Sequence, residues 1–259
     1  MLEVHGLSKR YGDVWAVREM TVSIAGGGCL ILLGQNGAGK TTAMRCMSGV
    51  VRPTAGSVLV DGVDAVADPD GARARIGMVP ETPGLYERMS SRAYLDYFAQ
   101  VYGLDEITRA RRIGDLLELF DLAAAGDRWL GTFSKGMRQK VALIRATLHE
   151  PRLVLADEPT SALDPDSARV AWDYLLELRA KGSALVVCTH DMEEATTLAG
   201  RDGTIGVLSD GRLLAIGDFG ELTAAAGLHP HQQVVEKPTL EEIYLAIVAG
   251  VRESEARLA

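Results

Sequence analysis

Residues 34–42 read GQNGAGKTT, a string that fits the phosphate-binding pattern G-x-x-x-x-G-K-[ST]. The apolar run at residues 29–33 before it predicts a buried strand, and residues 41–47 after it can form a helix. A strand, a glycine loop and a helix in that order are the context that this motif requires. The string therefore predicts a nucleotide-binding α/β fold.

The chemistry expected of this loop follows from its residue types. Its glycines let the backbone curl so that the N–H groups face inward and hold phosphate oxygens. The positive end of the following helix adds to that field. Lys40 supplies a point charge for the outer phosphates, and the Thr41 hydroxyl can bind Mg²⁺. The residues predicted to contact the nucleotide are Gly34, Gln35, Asn36, Gly37, Ala38, Gly39, Lys40, Thr41 and Thr42.

The composition limits the class of protein. A chain of 259 residues allows one large domain, or one domain with a subdomain. Its net charge of −8 gives no reason to expect nucleic acid or an anionic membrane surface as a partner. No apolar run approaches the roughly 18 residues that a membrane span needs, and residues 1–12 lack a basic-then-apolar signal segment. We therefore expect a cytoplasmic chain, unless a membrane partner holds it.

The order of the predicted elements indicates a mainly parallel sheet that carries an insertion. Short β-like runs with turn signals between them occupy residues 1–60, and a helical block spans about 85–150. From residue 153 to residue 217 strands alternate with helices, which implies parallel strands covered on both faces. Residues 218–259 form a tail with an amphipathic segment.

A second motif places two acids at the end of a predicted strand. Residues 153–159 read LVLADEP, so Asp157 and Glu158 lie at the carboxyl end of that strand, where open α/β sheets place ligands. We predict that Asp157 holds Mg²⁺ through water and that Glu158 polarises an attacking water. The structural alternative is a pair of acids that caps the next segment.

The segment between these two motifs discriminates among nucleotide-binding families. Residues 133–140 read FSKGMRQK, which by themselves form a capped amphipathic helix. In the order GQNGAGKTT, FSKGMRQK, LVLADEP, SALD and CTHD, however, residues 1 to about 217 resemble the ABC-family ATPases. The resemblance implies a P-loop NTPase (RecA-like) core with an N-terminal antiparallel β-subdomain and an inserted α-helical subdomain.

The resemblance also implies a role for each matching position. Tyr11 is similar to the aromatic that stacks on adenine, with strand packing as its alternative role. Glu158 matches the general base, His190 the switch histidine that orients the γ-phosphate and water, and Asp157 the acid linked to Mg²⁺. The positions of the family signature, which faces the γ-phosphate bound by the opposite subunit, are Ser134, Lys135, Gly136 and Met137.

The loop SALD at residues 161–164 matches the family loop that contacts the partner subunit, and we assign its Asp164 to the nucleotide-binding residues. Two other segments depart from the family pattern. The usual signature is LSGGQ, of which only the serine and the second glycine remain, at Ser134 and Gly136. Glu81 stands where most members have glutamine. Since both side chains offer oxygen to a metal or water, we place Glu81 with Thr41 and Asp157 at the Mg²⁺ and expect altered metal affinity.

The resemblance implies a function and a set of partners. PETPGLYERMS followed by FSKGMRQK looks like the bacterial ATP-binding subunits that pair with ABC type-2 permeases, a group that includes exporters. It implies ATP and Mg²⁺ as cofactors, a head-to-tail homodimer around two ATP molecules, and a place at the cytoplasmic face of the membrane. The alternatives are a non-transport ABC ATPase of DNA repair or translation and a nucleotide-binding regulator without turnover. The transported substrate is not predicted, because specificity should lie in the permease.

Overall fold

A computed structural model describes the backbone of residues 1–200, 203–228 and 238–258, and the side chains of these ranges up to residue 250. Ten strands lie within this part of the chain. They are β1 (Leu2–Tyr11), β2 (Val14–Ile24), β3 (Cys29–Leu33), β4 (Ala55–Val60), β5 (Val63–Asp64), β6 (Ile76–Val79), β7 (Leu153–Asp157), β8 (Ala184–Thr189), β9 (Thr204–Ser209) and β10 (Arg212–Gly217).

The helices of the same ranges alternate with these strands or follow them. They are α1 (Lys40–Met47), α2 (Pro69–Arg73), α3 (Ser91–Val101), α4 (Glu106–Leu119), α5 (Lys135–Thr147), α6 (Pro165–Ala180), α7 (Met192–Ala199), α8 (Phe219–Ala225) and α9 (Leu240–Leu258). None of the helices in the described ranges is both long enough and apolar enough to cross a membrane.

The strands form one mixed sheet in the order β5-β4-β1-β2-β10-β9-β3-β8-β7-β6. Strands β9, β3, β8, β7 and β6 pair in parallel, as predicted, whereas β1, β2, β4 and β5 pair antiparallel. Strand β10 joins the two parts, because it pairs antiparallel with β9 and meets β2 at the single pair Arg212 and Arg18. The predicted antiparallel N-terminal region is therefore present, and it continues the edge of the parallel sheet.

Both faces of the parallel strands are buried, which the alternation of side chains along β3 makes visible. Ile31 and Leu33 belong to a core that includes residues of α3 to α9. Leu30 and Leu32 belong to a second core, which includes α1 and the N-terminal strands. The covering of both faces predicted from the sequence is confirmed.

Three helices, α3 to α5, occupy the predicted helical block, with 3-10 turns at Ala123–Ala125 and Leu130–Thr132. The strand β6 that precedes the block was not predicted. It has only four residues, and its Gly77 weakens the strand signal. A Cβ atom at Gly77 would lie 2.0 Å from the carbonyl oxygen of Ala146, so the glycine is what lets α5 approach the strand.

The predicted C-terminal tail forms α8 and α9, which pack on the main core. Leu222 of α8 and Leu240, Ile243 and Tyr244 of α9 are buried in that core. The amphipathic segment expected in the tail is thus α9, and its apolar face lies against the same side of the sheet as α7.

Candidate active site

A cavity of about 340 Å³ lies at the carboxyl ends of the parallel strands, over the start of α1. Four loops meet there, one after each of β3, β6, β7 and β8, which is where an open α/β sheet binds its ligands. Its lining residues are Ala16, Gln35, Asn36, Gly37, Ala38, Gly39, Lys40, Thr41, Thr42, Glu81, Asp157, Glu158, Ser161 and His190.

Backbone crowding explains the glycines of the loop at residues 34–42. Gly39 has φ of 103°, and a Cβ atom there would lie 2.2 Å from the carbonyl oxygen of Ala16. A Cβ atom at Gly34 would lie 2.4 Å from the carbonyl oxygen of Leu208. The neighbouring strands therefore hold the loop in a shape that only glycine can adopt at these positions.

Lys40 is turned into the loop rather than out to solvent. Its side chain is buried, and its Nζ donates hydrogen bonds to the carbonyl oxygens of Gly34 at 2.5 Å and Gln35 at 3.2 Å. The ammonium group is thus held among the loop's own backbone groups at the first residue of α1. A fixed cation at a helix N-terminus suits an anionic ligand such as a phosphate chain.

The three predicted metal-binding residues lie together at the cavity wall. Asp157 is buried, and burial raises the pKa of its carboxyl; the nearby Glu81 adds to that rise, while a hydrogen bond with the Thr41 side chain opposes it. Within the described ranges, no group of three or more His, Cys, Asp or Glu side chains could hold a metal by itself. This donor set suits Mg²⁺, which takes one or two carboxylates and fills its remaining positions with phosphate oxygens and water.

Glu158 and His190 contact each other directly. Nδ1 of His190 lies 2.6 Å from Oε1 of Glu158, with the histidine more than half exposed and the Glu158 side chain nearly buried. Burial raises the pKa of Glu158, and the hydrogen bond with His190 opposes that rise. A carboxylate whose pKa is raised is a better proton acceptor, which is the property that a general base needs.

Other predicted residues lie outside this cavity's lining. Ser134 and Lys135 are exposed at the start of α5, where the Ser134 hydroxyl accepts a hydrogen bond from the Met137 N–H at 3.2 Å. A Cβ atom at Gly136 would lie 2.8 Å from the carbonyl oxygen of Ala162, so this segment is packed against the SALD loop. Asp164 caps α6 by accepting a hydrogen bond from the Ser167 N–H at 3.0 Å.

Tyr11 lies at the end of β1 with about half of its surface exposed, and it is not among the residues that line the cavity. The Lys9 ammonium lies over its ring, 4.9 Å from the centroid.

Sequence reasoning missed Ala16, which lies beside the phosphate-binding loop. It approaches the loop through its backbone carbonyl, and a residue that acts through its backbone leaves no signal in its type.

Comparison with known proteins gives the same assignment for most of the chain. A family model described as "ABC transporter" matches residues 17–161, more than half of the 259 residues. The ABC transporter ATP-binding protein NatA of Bacillus subtilis strain 168 is 39% identical over 204 residues, which span 76% of this chain and 82% of NatA. The daunorubicin resistance ATP-binding protein DrrA3 of Streptomyces coeruleorubidus is 37% identical over 226 residues, 87% of this chain and 71% of DrrA3.

A solved structure is similar over most of the fold. It is the dimeric structure of a post-hydrolysis state of the ATP-binding cassette MJ0796 bound to ADP and Pi. The two folds align with a TM-score of 0.76 and 25% sequence identity, over 84% of this chain and 98% of that one.

Proposed function

The chain belongs to the ABC transporter family as an ATP-binding and ATP-hydrolysing subunit, and we propose that the cavity over α1 is where ATP and Mg²⁺ bind. One observation carries this proposal. The buried Lys40 at the start of α1, the buried Asp157 and Glu158 at the end of β7, and His190 after β8 all reach the same cavity. A phosphate-binding cation, a metal-binding acid and a base beside a switch histidine are the parts that phosphoryl transfer to water needs.

Binding and orientation come first. The N–H groups of the loop and the Lys40 ammonium hold the phosphate chain, and Thr41, Asp157 and Glu81 would hold the metal. Bound there, Mg²⁺ would supply charge neutralisation at the phosphates. With the phosphates fixed, catalysis rests on positioning and on charge neutralisation.

Glu158 then acts on the attacking water. It accepts a proton as the water oxygen forms a bond to the γ-phosphorus and the bond from that phosphorus to the leaving oxygen of ADP breaks. His190 orients the γ-phosphate and this water. Because Nδ1 of His190 lies 2.6 Å from the Glu158 carboxylate, both side chains can contact the same γ-phosphate and water.

A head-to-tail homodimer would complete the site. The signature segment at residues 134–137 does not line the chain's own cavity, and its Ser134 and Lys135 side chains face solvent. A second copy of the chain, placed head to tail, would bring these groups to the γ-phosphate. The dimeric form of the similar cassette MJ0796, bound to ADP and Pi, supports this arrangement.

The proposed permease is an ABC type-2 exporter, which would hold the chain at the cytoplasmic face of the membrane. The relative DrrA3 is a daunorubicin resistance protein, which supports the export direction. A groove of about 570 Å³ between α2 and α3 offers a surface for a helix of that permease, and it is lined by apolar residues such as Met78, Phe98 and Val101 together with the charged Asp70, Arg73 and Arg145. Since Met78 is in β6, this groove adjoins the strand that leads to Glu81.

Replacing Glu158 by glutamine tests the proposed reaction. The amide keeps the shape of the side chain and is a very poor base, so we expect hydrolysis to fall by about 10²- to 10⁴-fold while ATP still binds. The Glu158→Gln chain should accumulate as an ATP-bound dimer in light scattering. Glu177→Gln, which removes an exposed charge paired with Lys181, is the matched control. Normal phosphate release from Glu158→Gln would reject the proposed function.

A further inference from the structure

Glu194, in the first turn of α7, binds three side chains from three different segments. Its Oε2 accepts a hydrogen bond from the Thr189 hydroxyl at 2.6 Å. Its Oε1 accepts from the Trp172 indole N–H at 3.2 Å and from the Thr160 hydroxyl. One carboxylate thus connects the end of β8, the helix α6 and the loop that follows β7.

Two of these partners flank the reacting groups. Thr160 follows Glu158 by two residues, and Thr189 immediately precedes His190. Beyond the backbone hydrogen bond from the Glu158 N–H to the Cys188 carbonyl, two sets of side-chain contacts therefore join the two loops. Glu158 and His190 join them by their own contact at 2.6 Å, and Glu194 joins them by its bonds to the two threonines.

The position of Glu194 is itself fixed by the start of its helix. Oδ1 of Asp191 accepts hydrogen bonds from the N–H groups of Glu193 and Glu194, both at 2.9 Å. The Asp191 N–H in turn donates to Oγ1 of Thr189 at 3.0 Å, and Thr189 is fully buried. We call the bonds from Glu194 to Thr160, Thr189 and Trp172 the bridge. It therefore begins at a capped helix end, which resists displacement.

The two connections respond differently to hydrolysis. In the proposed reaction, Glu158 accepts a proton and its carboxylate loses its negative charge, so its contact with His190 changes during each turnover. The bonds of Glu194 involve neither reacting side chain and can persist. Beyond the last backbone bond between β7 and β8, Glu194 then supplies the side-chain contacts that stay unchanged between the two loops.

We propose that Glu194 is a positioning residue for ATP hydrolysis, whose carboxylate holds the loops of Glu158 and His190 in register while those two groups act. This inference rests on the proposed function of the cavity. A displacement of about 1 Å at a reacting group can cost on the order of 100-fold in rate, so loss of the bridge should affect turnover strongly. The phosphate-binding loop is untouched, and ATP binding should not change.

A helix-dipole effect is the competing explanation, because an acid in the first turn stabilises any helix. Glu193 provides the matched control. It lies in the same first turn, carries the same charge and is exposed. A general effect on α7 predicts equal consequences for Glu193→Ala and Glu194→Ala, whereas the bridge predicts a consequence for Glu194→Ala only.

The experiment compares steady-state ATP hydrolysis by the full chain carrying Glu194→Ala, Glu194→Gln or Glu193→Ala. For Glu194→Ala we expect kcat to fall by about 10- to 100-fold with KM for ATP within about twofold of wild type. Glu194→Gln should recover most of the rate, because its amide oxygen can accept from Thr160 and Trp172 while its N–H donates to Thr189. Glu193→Ala should match wild type.

Thr160→Val removes the hydrogen bond between Thr160 and Glu194 without changing a residue of α7. It provides the test if the Glu194→Ala variant does not fold. It should lower kcat several-fold, and adding it to Glu194→Ala should cause no further loss. A wild-type kcat in Glu194→Ala or in Thr160→Val, or an equal loss in Glu193→Ala, would overturn the proposal. If Glu158→Gln is inactive while Glu194→Ala is fully active, the proposed function stands and only the role of Glu194 fails.

Discussion

The phosphate-binding loop and the signature segment share a glycine and a lysine at the start of a helix, but their lysines differ in exposure. Each places a glycine and a lysine at the start of a helix, Gly39 and Lys40 at α1 and Lys135 and Gly136 at α5. Lys40 is buried among the carbonyls of its own loop, whereas Lys135 is exposed. Tertiary surroundings, and not local sequence, make this difference, because the loop's carbonyls surround the Lys40 ammonium, whereas the Lys135 side chain lies in solvent.

The difference indicates which segment is complete within one chain. The glycine turn and the lysine of the loop at residues 34–42 line one cavity together with Asp157 and Glu158 of the same chain. The segment at residues 134–137 offers a hydroxyl, a cation and a helix N-terminus to solvent. We expect changes in the first segment to act on a single chain and changes in the second to act only on the dimer.

Lys40→Ala should give the largest effect on ATP binding. Removal of the buried ammonium takes away the charge held at the phosphates, and we expect ATP affinity to fall by about 100-fold or more, since the ammonium can make more than one charge-assisted contact, each worth about 2 kcal/mol. Equilibrium binding of ATP to the isolated chain measures this loss. Lys135→Ala is the matched control, and it should bind ATP like wild type. Equal losses in the two variants would remove the distinction between the segments.

Gly39→Ala should destabilise the fold more than Gly136→Ala. Alanine at residue 39 would need φ of 103° and would lie 2.2 Å from the Ala16 carbonyl oxygen, for a cost of about 3 kcal/mol. At residue 136, the better helix propensity of alanine, worth about 1 kcal/mol, offsets the closer contact with Ala162. Denaturant unfolding of both variants gives the two free energies. A larger loss for Gly136→Ala would show that the signature is the more tightly enclosed segment.

Ser134→Ala should separate binding from turnover. The hydroxyl caps α5, and in the proposed dimer it also meets the γ-phosphate of the opposite subunit, so we expect hydrolysis to fall by about 10-fold with unchanged ATP affinity of the monomer. Ser90→Ala is a close control, because Ser90 caps α3 by accepting from the Ala93 N–H at the same 3.2 Å. The two variants should lose similar stability, about 1 kcal/mol. Equal turnover in both would assign Ser134 to capping only.

Tyr11→Ala should give the smallest effect. A lost stack on adenine costs about 1 kcal/mol, which raises KM for ATP about fivefold. Tyr11→Phe keeps the ring and should behave like wild type. Because Tyr11 is half exposed and has the Lys9 ammonium over its ring, identical KM values in all three proteins would leave it with a role in strand packing.

The predictable part of the molecule is the part that local patterns specify. The strand–loop–helix at residues 29–47, the acids at the end of β7 and the capped helix that begins after Ser134 all follow from short-range chemistry, and all are present. The strand β6 was missed because glycine is required at residue 77 by the close approach of helix α5, which is distant in sequence, and not by the residues next to it.

The bridge at Glu194 was missed for a related reason. In sequence, an acid in the first turn of a helix is fully explained by the helix dipole. Its partners lie 34, 22 and 5 residues away, and only the folded chain brings them to one carboxylate. The outward direction of the signature segment also depends on tertiary packing, and so does the position of Tyr11 outside the cavity lining.

The seam between β10 and β2 has a consequence for local opening of the fold. It is one residue pair wide, and its Gly211 accepts a hydrogen bond from the Arg18 N–H at 2.7 Å and donates one to the Ala38 carbonyl at 3.0 Å. The seam is thus tied directly to the phosphate-binding loop. Any ligand that binds only the closed loop adds its binding free energy to the cost of opening there. Amide hydrogen exchange at Arg18 and Gly211 should therefore slow as ATP is added, in proportion to the fraction of the protein that has ATP bound. These two amides would then measure nucleotide binding from the seam.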